Sequence, residues 1–437
     1  MRERINTSIH AIKSISSDKR IRTGLLWNLL ATIAGRSSGL VTSVILSRML
    51  GKEVFGEFSI IQNTILTMGI FAGFGTGLTA TKHIAETFRT DPERAGRILA
   101  LTTLLAVVFG CLMAALLVAG APLITSQFLS SPHLTGLLQL AAISLVASAL
   151  NGTQNGTLAG FEEFRALSSV TIVTGFANVL AVTLGVIWGG ITGAIWGYTL
   201  AVVVSCLVGA RAVKVACREK RVFSDYRNCM TEWPVLWKFS LPTMLANTLV
   251  MPITWICNVM LVNQPGGFGE MATYNIVTQW RQIVLFLPGV VAQVFLPIMT
   301  SNTHAQGSQA VKANYLAINL AVALPILLIM SILSPLIMAL YGSSYVSQWP
   351  VFVIVQLATL AQIIQSPVVT SWAATGRMWI NLSANMFWGA SLVLFSWFFI
   401  SKGAFGLGMA LLISFLLYFI VIFIVKKIEV SPDVAKC

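Results

Sequence analysis

Charge is scarce in this 437-residue sequence: Asp, Glu, Lys and Arg together make up 10% of it, against about a quarter in a soluble globular chain. No acidic residue lies deep in a long apolar run. The four histidines, His10, His83, His133 and His304, all fall between such runs, which excludes a histidine relay inside a membrane. Cysteines are single and scattered (Cys111, Cys206, Cys217, Cys229, Cys257 and Cys437), with no CxxC, so neither a disulfide framework nor a zinc site is indicated. The outer-face candidates Glu57, Glu270 and His133 show no HxxE or DxD spacing of the kind a membrane-face metal or acid–base centre needs. No cofactor is implied. What fills the sequence is apolar: 56% hydrophobic residues and a mean hydropathy of +0.82. This is an all-α integral membrane protein, and its formal charge of +13 is not a nucleic-acid signal.

Apolar runs bounded by charge predict twelve transmembrane helices. The first six lie near 24–48, 55–79, 98–120, 136–158, 167–188 and 190–212, the second six near 236–262, 270–298, 313–340, 350–373, 378–400 and 404–426. The joint between the fifth and sixth falls at Gly189–Gly190. With the N-terminus inside, 23 of the 28 Lys and Arg lie in cytoplasmic segments and only Arg48, Lys52 and Lys402 outside. That bias places both termini in the cytoplasm. Ile5, Ile9, Ile12 and Ile15 recur at helical spacing, so residues 1–23 read as an amphipathic tail on the inner face. The remaining divisions are an N-lobe over 24–212, a basic cytoplasmic linker over 213–235, a C-lobe over 236–426 and a cytoplasmic tail over 427–437.

The two lobes are expected to be a duplication. Phe55-Gly56-Glu57 opens the second span and Phe268-Gly269-Glu270 the eighth, 213 residues on. Gln139-Leu140-Ala141 is echoed by Gln356-Leu357-Ala358, Gly160 by Gly376, and Gly193-Ala194 by Gly403-Ala404, in the same order. Six spans per half give both halves one orientation, so the repeat is a parallel pseudo-two-fold with a central cavity between lobes. Glu57 and Glu270 are expected as solvated charges at helix starts. Of the 14 prolines, Pro92, Pro122 and Pro132 are expected in loops; the second half puts prolines inside spans. Pro242 and Pro252, ten residues apart in the seventh span, are the hinge candidates; for the other span prolines, a static bend is expected. Gly35/Gly39, Gly69/Gly73 and Gly193/Gly197 are expected to allow close helix packing.

Two arginines interrupt the apolar runs. Arg36 lies at the midpoint of the first span and Arg281 at similar depth in the eighth. A mid-membrane arginine costs roughly 2.5–3.5 kcal/mol on insertion scales and almost always faces protein or water. Asn28, Thr32, Arg36, Gly39, Ser43 and Ser47 share one helical face; Tyr274, Thr278 and Arg281, flanked by Asn275, Gln279 and Gln282, form another. Asn63, Asn151, Gln154, Asn155, Asn247 and Asn258 add amides and complete the expected substrate-binding set. Some of these polar groups are equally read as glue between helices. An electropositive, amide-lined cavity without acids suits an anionic headgroup, since arginine grips phosphate with two parallel bonds and amides suit sugar hydroxyls. On this reading Arg36 and Arg281 jointly hold the anion.

Ser47-Arg48-Met49-Leu50-Gly51 running into Val54-Phe55-Gly56-Glu57-Phe58 resembles polysaccharide transporters of the multidrug/oligosaccharidyl-lipid/polysaccharide exporter superfamily. Gly73-Phe74-Gly75-Thr76-Gly77 with Ile84-Ala85-Glu86, and Leu158-Ala159-Gly160-Phe161 through Phe164-Arg165, extend the resemblance. Lys52 stands where that family commonly has proline. The resemblance implies an O-antigen-type flippase carrying an undecaprenyl-pyrophosphate-linked oligosaccharide to the outer leaflet by alternating access. It implies as partners the lipid-linked substrate, membrane lipids, and the polymerase and other polysaccharide-assembly proteins. A multidrug or cation antiporter of the same superfamily is the first alternative, disfavoured by the lack of an intramembrane carboxylate. A polytopic lipid-linked glycosyltransferase or ligase is the second.

Overall fold

The computed structural model describes residues 19–235, 240, 250–301, 305–375 and 377–430. The amphipathic tail before residue 19, Pro242, Asn247 and the residues beyond 430 lie outside the described residues, as does the side chain of Asn28. Every regular element among the described residues is helical. The longer helices of the first half are α1 (Lys19–Leu50), α2 (Lys52–Gly73), α3 (Thr76–Thr87), α4 (Pro92–Leu123), α5 (Thr135–Ala142), α6 (Ser144–Gly160) and α7 (Phe164–Lys220). Those of the second are α8 (Val250–Val262), α9 (Gly267–Ser301), α10 (Ala305–Ile332), α11 (Ser334–Tyr341), α12 (Trp349–Ala374), α13 (Met378–Phe399) and α14 (Gly403–Val430). Helices are what a chain this apolar must form in hydrocarbon, where each backbone polar group needs an internal partner.

Seven of the described helical stretches are long and apolar enough to cross a membrane. Two of them turn back on themselves. In the 57-residue α7, Gly189 (φ −145°) and Gly190 (φ 55°) leave the helical region where the joint was expected. The arms then touch backbone to backbone, for a Cβ on Gly197 would stand 2.2 Å from the carbonyl oxygen of Ala181. Between α13 and α14 a 3-10 turn at Ile400–Lys402 and a positive φ at Gly403 make the second reversal.

The chain falls into two compact units. The first comprises Met1–Thr42, Met68–Pro122 and Thr135–Leu245, the second Ser43–Thr67, Leu123–Leu134 and Ala246–Cys437. The core of the first includes Ala80, Ile84, Phe88, Leu99, Leu158 and Phe161; in the second, Val284, Ala323, Leu327 and Ile363 form a buried cluster.

Several expected boundaries shift. The second span is two helices, because Phe74 (φ 43°) and Gly75 (φ 66°) adopt left-handed backbone between α2 and α3. Stacking of Phe74 on Phe109, with ring centroids 4.1 Å apart, accompanies that unusual conformation. The fourth span breaks at Ile143, and the ninth at Leu333. Among the expected glycine pairs, Gly193 and Gly197 meet neighbouring backbone, while Gly39, Gly69 and Gly73 face open space. A tighter crossing lies elsewhere: a Cβ on Gly156 of α6 would stand 2.1 Å from the carbonyl oxygen of Gly77 in α3.

Prolines show how backbone is re-satisfied. Pro122, expected in a loop, lies within α4, and Pro92 is that helix's first residue, where a missing N–H costs nothing. The carbonyl that Pro122 leaves without its helical donor is that of Val118, and Gln139 Nε2 donates to it at 3.1 Å. The same repair recurs with the preceding serine. Ser334 Oγ donates to Ser331 O at 2.7 Å beside Pro335, and Ser366 Oγ to Ile363 O at 2.8 Å beside Pro367. Asn319 Nδ2 in turn donates to Ser366 Oγ at 3.1 Å. Each freed carbonyl thus finds a donor within the protein. Ser366→Ala is expected to destabilise the protein by about 1–3 kcal/mol, because it strands the Ile363 carbonyl and the Asn319 amide. A lowered thermal unfolding midpoint in detergent, partly restored by adding Pro367→Ala, is the expected measurement.

Candidate functional site

Arg281 lies midway along α9, partly exposed, with its Nη2 donating to Gln362 Oε1 of α12. Its guanidinium stands 5.7 Å from the centroid of the Phe415 ring of α14. The Nε is buried and has no hydrogen-bond partner among the described residues. An unpartnered buried N–H on a charged group is expensive, which makes this Nε a candidate contact for a bound acceptor. The same unit holds further open valences: Gln279 Oε1, Asn258 Oδ1, and both the Nε2 and Oε1 of Gln356. Gln279 Nε2 is fixed on Asn275 Oδ1 at 2.6 Å, one turn back along α9. Thr278 returns its hydroxyl to its own helix, at 2.9 Å from Tyr274 O. Gln282 is exposed.

Around the Gly51 end of α1 and α2 the polar residues are engaged in packing. Ser47 Oγ donates to Tyr341 O at 2.8 Å and Arg48 Nε to Leu340 O at 2.6 Å, closing the last carbonyls of α11. Ser43 and Trp280 both donate to the Tyr341 hydroxyl, at 3.5 and 3.0 Å. Tyr341 is fully buried, and sequence reasoning did not single it out. Asn63 and Asn258 were both expected in the site, and Asn258 Nδ2 donates to Asn63 Oδ1 at 3.4 Å. Thr64 accepts from Trp255 Nε1 at 2.9 Å.

The duplicated Phe-Gly-Glu segments meet each other. A Cβ on Gly56 would lie 1.8 Å from the carbonyl oxygen of Phe268, and Glu53 accepts the Gly269 N–H at 2.9 Å. Glu270, expected as a solvated charge, instead accepts the Ala404 N–H at the start of α14 at 2.9 Å, Gln348 Nε2 at 3.2 Å and Lys52 Nζ at 3.5 Å. A carboxylate at a helix start is favoured by the exposed N–H groups there. Glu57, also expected as solvated, meets His133 Nε2 at 2.9 Å. No sequence period reveals these partners, which are 76 to 218 residues away.

In the first unit Arg36 is partly exposed on α1. Its helix contacts α7 through an adjacent face: Gly35 lies against Thr171, Gly175 against Ser38, and Asn178 Nδ2 donates to Thr42 Oγ1 at 3.3 Å. Gly39, on the stripe that carries Thr32 and Arg36, borders open space. Of the amides on α6, Asn151 donates to Val202 O at 3.2 Å, Gln154 reaches only the Cys206 sulfur at 3.6 Å, and Asn155 is exposed.

The family model described as polysaccharide biosynthesis protein matches residues 21–303. The chain is similar to the EPS I polysaccharide export inner membrane protein EpsE of Ralstonia nicotianae, at 27% identity over 365 residues and 81% of each chain. It is similar to the lipid III flippase of Escherichia coli K12 at 25% identity over 175 residues, 40% of this chain and 42% of that one. In fold it is similar to the lipid II flippase MurJ in an inward closed conformation. There the TM-score is 0.73 at 16% identity, over 93% of this chain and 88% of that one.

Proposed function

This chain belongs to the polysaccharide biosynthesis protein family, and on that premise we propose that it is a flippase for lipid-linked polysaccharide units. Its cargo in this reading is an undecaprenyl-pyrophosphate-linked oligosaccharide, O-antigen or a similar surface-polysaccharide unit, moved from inner to outer leaflet of the bacterial inner membrane by alternating access. The protein is a transporter and not an enzyme. The observation that carries the reading is Arg281: a cation inside a membrane helix, with an Nε unpartnered among the described residues and the amide of Gln362 on its Nη2. Arg281 and Arg36 are the proposed phosphate ligands, each acting on the diphosphate; the open amides of Gln279 and Gln356 are suited to sugar hydroxyls. Twelve passes in two six-helix lobes, with Pro242 and Pro252 as hinge, complete the proposal. Pro252 stands third in α8.

Deleting the protein from its host is expected to raise the lipid-linked oligosaccharide pool at the cytoplasmic face and remove the surface polysaccharide. An unchanged pool with new sensitivity to cationic drugs would replace this reading with the antiporter. Reporter fusions in the 213–235 segment and at residue 437 are expected to read cytoplasmic, because the Lys and Arg bias opposes inversion. A periplasmic signal at either would overturn the twelve-pass topology.

A further inference from the structure

The segment after α7 folds against the first unit. Glu232 is buried and held by Arg94 Nε at 3.1 Å and Arg97 Nη2 at 3.4 Å. Cys229 joins Ala100, Leu101 and Leu105 in an apolar cluster. Asp225 accepts from Asn228 Nδ2 at 2.9 Å and from the backbone N–H groups of Arg227 and Asn228, which holds its carboxyl below the ordinary range. Gly96 lets this segment approach α4 closely, since a Cβ there would lie 2.0 Å from Phe223 O. Beneath the segment lies a cavity of about 360 Å³ between α4, α6 and the last turns of α7.

Its walls are apolar, with Leu99 and Leu150 on one side and Val213 and Phe223 on the other. Two threonine hydroxyls on its lining are engaged: Thr153 with Thr76 at 2.8 Å, and Thr157 with Thr153 O at 2.8 Å. Lys214 and Arg218, one helical turn apart on α7, are its only charged lining residues, and neither forms an ion pair among the described residues. Gln154 also lines it. Its Oε1 is buried without a partner among the described residues and its Nε2 makes one weak hydrogen bond, to the Cys206 sulfur at 3.6 Å, so turning the amide over breaks only that bond and presents Nε2 as a donor to the cavity. Gln154 Oε1 lies against Gly209, five residues before Lys214, or about 7.5 Å along the helix.

We infer that this cavity binds one anionic diacyl phospholipid, with its phosphate on Lys214 and Arg218 and one acyl chain inserted between α4 and α6. Charge complementarity at the mouth, an amide that can turn its donor to the cavity about 7.5 Å along the helix from Lys214, and apolar walls within match phosphate, ester carbonyl and chain in order. A volume at the lower end of the range for small-molecule sites suits one chain and excludes an oligosaccharide. A polyprenyl diphosphate has no ester carbonyl for Gln154 to meet. The inference rests on the membrane reading above and not on the cargo; under the proposed topology the lipid comes from the inner leaflet.

The test is native mass spectrometry of the full chain after delipidation, with phosphatidylglycerol or phosphatidylethanolamine added back. One phosphatidylglycerol per chain is expected to be retained at least tenfold better than phosphatidylethanolamine. Lys214→Gln with Arg218→Gln, at exposed positions, is expected to remove that preference, and Leu150→Trp to lower retention of both lipids at an unchanged unfolding midpoint. Equal retention of the two lipids by wild type, or an unchanged preference in the double variant, would overturn the inference. So would displacement of phosphatidylglycerol by equimolar undecaprenyl diphosphate. None of these readouts depends on transport, so failure of the flippase reading leaves them intact.

Discussion

Arg281→Ala is expected to cut surface polysaccharide on the order of 30-fold or more in a strain lacking the native protein, at near wild-type protein level. The estimate follows from about 2–5 kcal/mol lost when one member of a buried charged hydrogen-bonded pair is truncated. Arg281→Lys keeps the charge but not the planar fork, and Lys cannot hold Gln362 and a phosphate with the same geometry, so it is expected to recover only a small part. Arg36→Ala and Arg36→Lys are expected to follow the same order. A purely packing role makes the opposite forecast. Removing a membrane arginine then relieves an insertion cost of a few kcal/mol, and the alanine variants are tolerated or accumulate better. Full complementation by both alanine variants would sink the anion-binding role and return the chain to neutral or cationic cargo.

Substitution of Gly56 is expected to be nearly as damaging although the residue has no side chain with which to hold an anion. An alanine methyl at this position would sit 1.8 Å from Phe268 O and 2.4 Å from its carbonyl carbon, so backbone, not a flexible side chain, has to move. Overpacking of this kind costs about 1–3 kcal/mol. The displacement would also separate Glu53 from the Gly269 N–H. Gly56→Ala is expected to lower the unfolding midpoint and depress polysaccharide display about tenfold; Gly56→Val is expected to leave little folded protein. Gly51→Ala is the control, because that glycine has open space around it but a φ of 79°. Its cost is limited to backbone strain of about 1–2 kcal/mol. Equal tolerance of Gly56→Ala and the wild type would mean the two segments need not touch in the working protein.

The amino-acid sequence by itself determined that the chain is helical and spans a membrane, because hydrocarbon leaves the backbone no other way to satisfy its polar groups. It located the reversal at Gly189–Gly190, since a glycine pair between two apolar runs is readable one residue at a time. It identified Arg281 as exceptional from the insertion cost alone. It also exposed the Phe-Gly-Glu repeat, but not that its two copies pack backbone against backbone, because a repeat carries no information about which face of each copy is used. The proline repairs by Ser334 and Ser366 were open to the eye as Ser-Pro pairs, whereas Gln139 serving Val118 depends on a contact made by folding. Tertiary structure alone decided which polar groups stay open: Ser43 and Asn63 find partners through packing, while among the described residues the Nε of Arg281 does not. Period and composition state what a side chain is; only its neighbours in space fix whether its hydrogen bonds are already made.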